Sequence, residues 1–234
     1  MTQVAFTKMH GLGNDFVIVD GRDGDLAIGG TQARAIGDRR RGVGFDQLLI
    51  LEPAKDAAAD LFLRILNPDG SEAEACGNGT RCVAARVMDE LGRDTLNIET
   101  VAGVLATTTG ADGLVTVDMG PANLEWRQIP LAVEADTLHL DIENGPLRDP
   151  VAVNIGNPHM VFFVDDADAI DVAGLGPALE SHLLYPERTN VEICSLSGPD
   201  QLRMRVWERG AGITQACGSG ACAAVVAAAR RGLT

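Results

Sequence analysis

The chain has 234 residues, 46% of them hydrophobic, enough to bury a core as one large domain or as two of about 100 to 120 residues each. Only 4% are aromatic, so Leu, Val, Ile and Ala must fill that core. The formal charge of −14 repels phosphate backbones and anionic lipid, which excludes nucleic acid and membrane as main partners.

In chain order, residues 4–7 and 16–20 read as strands joined across His10-Gly11-Leu12-Gly13-Asn14, whose glycines mark a tight turn. A short helix over 31–40 follows, with Arg39-Arg40-Arg41 as its solvated end. Strands at 47–51 and 61–66 lead through the turn Asn67-Pro68-Asp69-Gly70 to a cysteine motif and a helix over 80–91. Short strands at 95–100, 104–109 and 114–118 come next, and Gly120-Pro121 marks a domain boundary. Beyond it, strands at 151–155 and 160–164 flank Gly156-Asn157-Pro158-His159, and a short helix is expected near 176–182. Strands at 191–195 and 202–207 and a turn at 208–212 then lead to a second cysteine motif and a helix over 221–231.

The two motifs are Ala75-Cys76-Gly77-Asn78-Gly79 and Ala216-Cys217-Gly218-Ser219-Gly220. Each sets a thiol at a helix N-terminus, where unpaired N–H groups and the positive dipole end favour an anion. A thiolate is such an anion, and the glycines remove side chains that would keep a ligand carboxylate from the same amides. The five cysteines are an odd count at spacings unlike a disulfide framework or a zinc site, so no metal is expected; Cys82, Cys194 and Cys222 read as packing residues.

The motifs lie 141 positions apart (217 − 76), and their surroundings correspond. Arg64 and Arg205, and Asn67 and Glu208, share that offset, while Asn14 with Asn157 and Gln47 with Asn190 share one of 143. The expectation is an α+β chain made by internal duplication, with pseudo-symmetric domains at 1–119 and 120–234. In the first half about 25 residues of strand follow the cysteine helix, and their counterparts would begin near position 236, so the second domain is expected to be incomplete at its C-terminus. Two thiols facing one carbon form a base on one side and an acid on the other, which inverts a stereocentre. The helix amides would hold the α-carboxylate and the enolate-like charge. A thiol pair of this kind could also serve as a redox switch or soft-metal site.

The residues resemble diaminopimelate epimerase, in the cofactor-independent amino-acid racemase group. The resemblance runs through Gly11-Leu12-Gly13-Asn14-Asp15-Phe16, Gly44-Phe45-Asp46-Gln47, Asn67-Pro68-Asp69-Gly70-Ser71, Ala75 to Cys82, Gly156-Asn157-Pro158-His159, Arg188-Thr189-Asn190-Val191-Glu192 and Trp207-Glu208-Arg209-Gly210 into the second motif. It implies a mixed, barrel-like sheet around a central helix in each domain, with the active site in the interdomain cleft. It implies interconversion of LL- and meso-2,6-diaminopimelate without pyridoxal phosphate, other cofactor or metal, in lysine and peptidoglycan biosynthesis. Cys76 and Cys217 become the acid/base pair, tuned by His159 and Glu208. Substrate contacts become Asn14, Gln47, Asn67, Gly77, Asn78, Asn157, Asn190, Glu208, Arg209, Gly218 and Ser219. A homodimer is implied for the full-length form. Proline or hydroxyproline racemisation also uses paired cysteines, and the polar residues Asn67, Asn190 and Arg209 argue against it. Met1-Thr2-Gln3-Val4 lacks the basic and apolar segments of a signal peptide, so a cytoplasmic location is expected.

Overall fold

The computed structural model describes residues 3–24 and 26–234, and the chain divides into two compact units, Met1–Met119 and Gly120–Thr234. The first unit runs β1 (Thr7–Gly11), β2 (Asn14–Asp20), α1 (Gly30–Gly37), β3 (Gln47–Glu52), β4 (Leu61–Leu66), β5 (Glu72–Ala73), α2 (Gly77–Leu91), β6 (Thr95–Thr100), β7 (Gly103–Thr109) and β8 (Val115–Val117).

The opening strand lies later than expected. Leu12 and Gly13 take φ of 54° and 87°, the positive values a two-residue hairpin turn needs. Pairing therefore continues to Gly11 opposite Asn14, and His10 and Gly11 are strand rather than turn. Helix α1 also stops earlier than expected. The Asp38 carboxylate accepts the N–H groups of Arg40 and Arg41 at 2.9 and 3.1 Å, which draws the chain out of the helix and puts Arg39-Arg40-Arg41 in the turn beyond it.

The eight strands form one mixed sheet in which β2 and β3 are parallel, β3 and β4 antiparallel, and β4 and β6 parallel. Helix α2 packs against β1 near one end of the strand order and β8 at the other, so the sheet curls around it. Strand alternation sends Phe16, Ile18, Leu49, Leu51, Leu63 and Ile65 toward α2, and Val17, Val19, Leu48 and Ile50 to a second core under α1.

In the second unit, β9 (Glu143–Asn144) and β10 (Leu147–Arg148) form a small hairpin in a stretch read without elements. Then come β11 (Val151–Asn154), β12 (Pro158–Phe163), α3 (Val172–Glu180), β13 (Asn190–Gly198), β14 (Gln201–Glu208), β15 (Gly212–Ile213) and α4 (Gly218–Arg230). Helix α3 starts earlier than expected because the Asp171 side chain caps it, accepting the Gly174 N–H at 3.0 Å. The five-stranded sheet keeps sequence order, β11 to β15, with β12 and β13 parallel and the other pairs antiparallel. One core joins Met160, Phe162, Val191 and Ile193 to Val172 and Leu179 of α3 and to Ile129, Leu140 and Ile142 of the incoming segment.

Both units insert a helix between two parallel strands, add an antiparallel third strand, and enter a cysteine-headed helix after a two-residue strand. Arg64 donates to the Ile28 carbonyl just ahead of α1 at 2.8 Å, and Arg205 donates to the Ile170 carbonyl just ahead of α3 at 2.7 Å. Among the described residues, no helix is long and apolar enough to cross a membrane.

Candidate functional site

Helices α2 and α4 each begin three residues before the start expected from sequence, because the cysteine itself is the N-cap. Cys76 (φ −147°, ψ 101°) and Cys217 (φ −127°, ψ 117°) are extended, and each sulfur accepts the N–H of the third helical residue, Gly79 or Gly220, at 3.3 Å. Both cysteines are buried, with 8% and 7% of their surface exposed, so neither cap is an incidental surface contact. Gly77 and Asn78 head one helix and Gly218 and Ser219 the other, where the backbone N–H groups point out of the helix end. The Ser219 hydroxyl lies 3.5 Å from the Cys217 sulfur, and the Asn78 side-chain oxygen accepts from Arg81.

In the first unit three amides gather at one end of the sheet. Asn14 opens β2, Gln47 opens the parallel β3, and Asn67 follows the antiparallel β4. Alternation from Phe16, Leu49 and Ile65 puts all three on the α2 side. The Asn14 NH2 donates to Asp46 Oδ2 at 2.9 Å, Gln47 donates to Asn67 Oδ1 at 3.3 Å, and Asn67 donates to the Ser71 hydroxyl at 3.1 Å. Gln47 Oε1 is buried and has no hydrogen-bond partner among the described residues.

The second unit is more ionic. His159, Asn190, Glu192 and Glu208 fall on the α4 face of the sheet, as the register of β12, β13 and β14 requires. His159 is wholly buried, with Nδ1 2.7 Å from Glu192 Oε1 and Nε2 2.8 Å from Asn157 Oδ1. Asn190 donates to the Pro158 carbonyl at 3.0 Å and accepts the Arg209 N–H at 2.9 Å, while the Arg209 guanidinium donates to the Glu187 carbonyl at 3.1 Å. Glu208 accepts from the Thr214 hydroxyl. Burial pushes the Glu208 carboxyl up to about 7, against the hydrogen bonds from Thr214 and Cys217 that lower it. Burial also pushes the Cys217 thiol well above its ordinary value, and the negative charges of Glu208 and Glu192 add to that.

Two residues that sequence reasoning quoted without a role stand in these networks. Glu192 is the carboxylate on His159, and Asp46 holds Asn14, the Asp15 N–H at 2.9 Å and Arg39 at 2.7 Å. The legible signal was a lone acid inside an apolar strand, Val191-Glu192-Ile193-Cys194. Cys82 and Cys194 are buried, but Cys222 is exposed rather than a packing residue, because it lies on the outer face of α4. Among the described residues, no group of three or more His, Cys, Asp or Glu side chains could hold a metal ion.

A sequence model of the diaminopimelate epimerase family matches residues 6–125 and 151–234, and so spans both cysteine-capped helices. The chain belongs to the diaminopimelate epimerase family. It is 61% identical to the diaminopimelate epimerase of Rhodospirillum centenum over 98% of this chain and 79% of that protein. It is 52% identical to that of Acidiphilium cryptum over 97% of this chain and 82% of that protein. Among solved structures, a hydroxyproline epimerase from Agrobacterium vitis with bound trans-4-hydroxy-L-proline superposes with a TM-score of 0.70 at 18% identity, covering 98% of this chain and 77% of that one. A PhzF-family phenazine biosynthesis protein from Bacillus anthracis gives 0.65 at 18%, covering 98% and 81%. At such identity these two establish the shared mixed α+β fold alone.

Proposed function

We propose that this chain epimerises LL-2,6-diaminopimelate to the meso isomer by two-base proton transfer, with Cys76 and Cys217 as the acid/base pair. Diaminopimelate epimerase function, an isomerase activity of lysine biosynthesis, follows from the family and from 61% identity along nearly the whole chain. The assignment of the two bases is carried by one observation. Each unit holds one buried cysteine as a helix N-cap, with its sulfur at the same 3.3 Å from the third helical amide.

The chemistry follows from that placement. A thiolate on one face of the substrate takes the α-proton: the Cα–H bond breaks, an S–H bond forms, and the electron pair moves into the carboxylate as an enolate-like anion. On this reading the amides of Gly77, Asn78, Gly218 and Ser219 hold that carboxylate and its growing charge. The second cysteine, as a thiol, then gives its proton to the opposite face, and the roles exchange in the reverse direction. Glu208 and His159 tune the thiols. The buried polar side chains Asn14, Gln47, Asn67, Asn157 and Asn190, together with Glu208 and Arg209, select a substrate with an amino-acid group at each end. The reading takes the two units as a duplicated pair and requires one thiol on each face of the α-carbon. A homodimer is proposed for the full-length form.

NMR of LL-diaminopimelate incubated with reduced protein in D₂O tests this. Loss of the α-proton signal with appearance of the meso isomer is the expected result, and exchange on proline but not diaminopimelate would overturn it.

A further inference from the structure

Asn14 and Asn157 stand at matching places, each two residues ahead of a buried aromatic ring on the helix-facing side of its sheet, Phe16 in one unit and His159 in the other. Their amides are held the opposite way round. Asp46 Oδ2 can only accept, so it takes the Asn14 NH2 at 2.9 Å. Asn157 turns its oxygen inward, toward His159 Nε2 at 2.8 Å.

The cause of the reversal lies one residue deeper. Glu192 is wholly buried, its Oε1 is 2.7 Å from His159 Nδ1, and its Oε2 has no hydrogen-bond partner among the described residues. A carboxyl group buried this deeply needs hydrogen-bond partners. The ring of His159 links the two side chains, Nδ1 facing Glu192 Oε1 and Nε2 facing Asn157 Oδ1.

We infer that Glu192 is a positioning residue for the reaction: acting through the ring of His159, its carboxylate holds the Asn157 amide oxygen inward and the NH2 outward, as a donor to a substrate carboxylate. The inference rests on the reading of Asn157 as a substrate contact.

The ring nitrogens of His159, observed by ¹⁵N-edited NMR of the full chain at about pH 7.5, test the positioning without substrate. Resonances of both ring nitrogens that move in Glu192→Gln, with the Nε2 resonance moving in Asn157→Ala, are the expected result; ring nitrogens that do not respond to Glu192→Gln overturn it. In kinetics, Glu192→Gln and Asn157→Ala should each chiefly raise KM for diaminopimelate, by about ten-fold, and the double variant should do no worse than the poorer single one. Losses that add would overturn the coupling. An unchanged KM in Asn157→Ala would remove the substrate contact, whereas the ring nitrogens judge the Glu192–His159 link independently of it.

Discussion

Leu49 and Glu192 occupy the same place beneath the two cysteine-capped helices. A Cβ added to Gly79 would sit 3.0 Å from Leu49 Cδ1 and 3.4 Å from the Cys76 sulfur; one added to Gly220 would sit 2.7 Å from Glu192 Oε1 and 3.3 Å from the Cys217 sulfur. One thiol thus rests beside a hydrocarbon side chain and the other beside a carboxylate, in otherwise matching frames. In the proposed two-base reaction, such an asymmetry would let one sulfur hold its proton while the other gives its proton up.

Adding the missing methyl groups should read out that difference. Alanine for glycine gains helix propensity, about 1 kcal/mol in a helix interior, but the new Cβ must be accommodated. Leu49 can give way at its flexible end, so Gly79→Ala should stay within about 0.5 kcal/mol of wild type. Glu192 is tied to His159, so Gly220→Ala should lose about 1–2 kcal/mol. Urea unfolding of the two variants checks the order, and equal losses would count against a fixed Glu192.

Replacing either capping cysteine by serine should remove proton exchange while keeping the helix start. A serine hydroxyl accepts the N3 amide as sulfur does, so melting temperatures should move by no more than about 3 °C. Turnover should fall by about 100- to 10,000-fold, the usual contribution of a positioned acid or base. Exchange in D₂O and thermal melts on Cys76→Ser and Cys217→Ser decide it; a variant that retains exchange would exclude its sulfur as a base.

Glu208 makes stability depend on pH. Its carboxyl is raised in the fold from 4.5 to about 7, so its favourable contribution is complete below about 4.5 and is lost as pH rises through about 7. The residue retains some contact with solvent, so the loss amounts to no more than about 2 kcal/mol. Glu208→Gln should therefore be more stable than wild type at about pH 8 and gain nothing at about pH 4. Denaturation curves at the two pH values test the sign; a wild type that strengthens from the lower to the higher relative to the variant would refute it.

Leu12 bears a steric cost at the β1–β2 turn, with φ of 54° on a 70% exposed side chain. Asparagine tolerates that region, and Asn-Gly is the preferred pair for such a turn. Leu12→Asn should stabilise the first unit by about 0.5–1 kcal/mol, measured by thermal melting.

Strand alternation, turn residues and the spacing of the two Cys-Gly-x-Gly motifs made most elements and the candidate bases legible from local pattern alone. Strand 61–66 and strand 95–100 stand where the pattern puts them, because apolar alternation between turn signals leaves little choice of period. Element ends were less legible. A cysteine is an unusual N-cap, so the helices at 77 and 218 start ahead of where glycine-rich sequence suggests, and Asp38 and Asp171 move the ends of α1 and α3 by side-chain bonds that propensity does not weigh. The sequence by itself determined the fold class, the family and which residue types stand near each cysteine. Only the tertiary structure decided what those residues do to one another. Whether Glu192 meets His159, and which way Asn14 and Asn157 turn their amides, depends on strand register and on buried partners distant in the chain, and no local pattern carries that information.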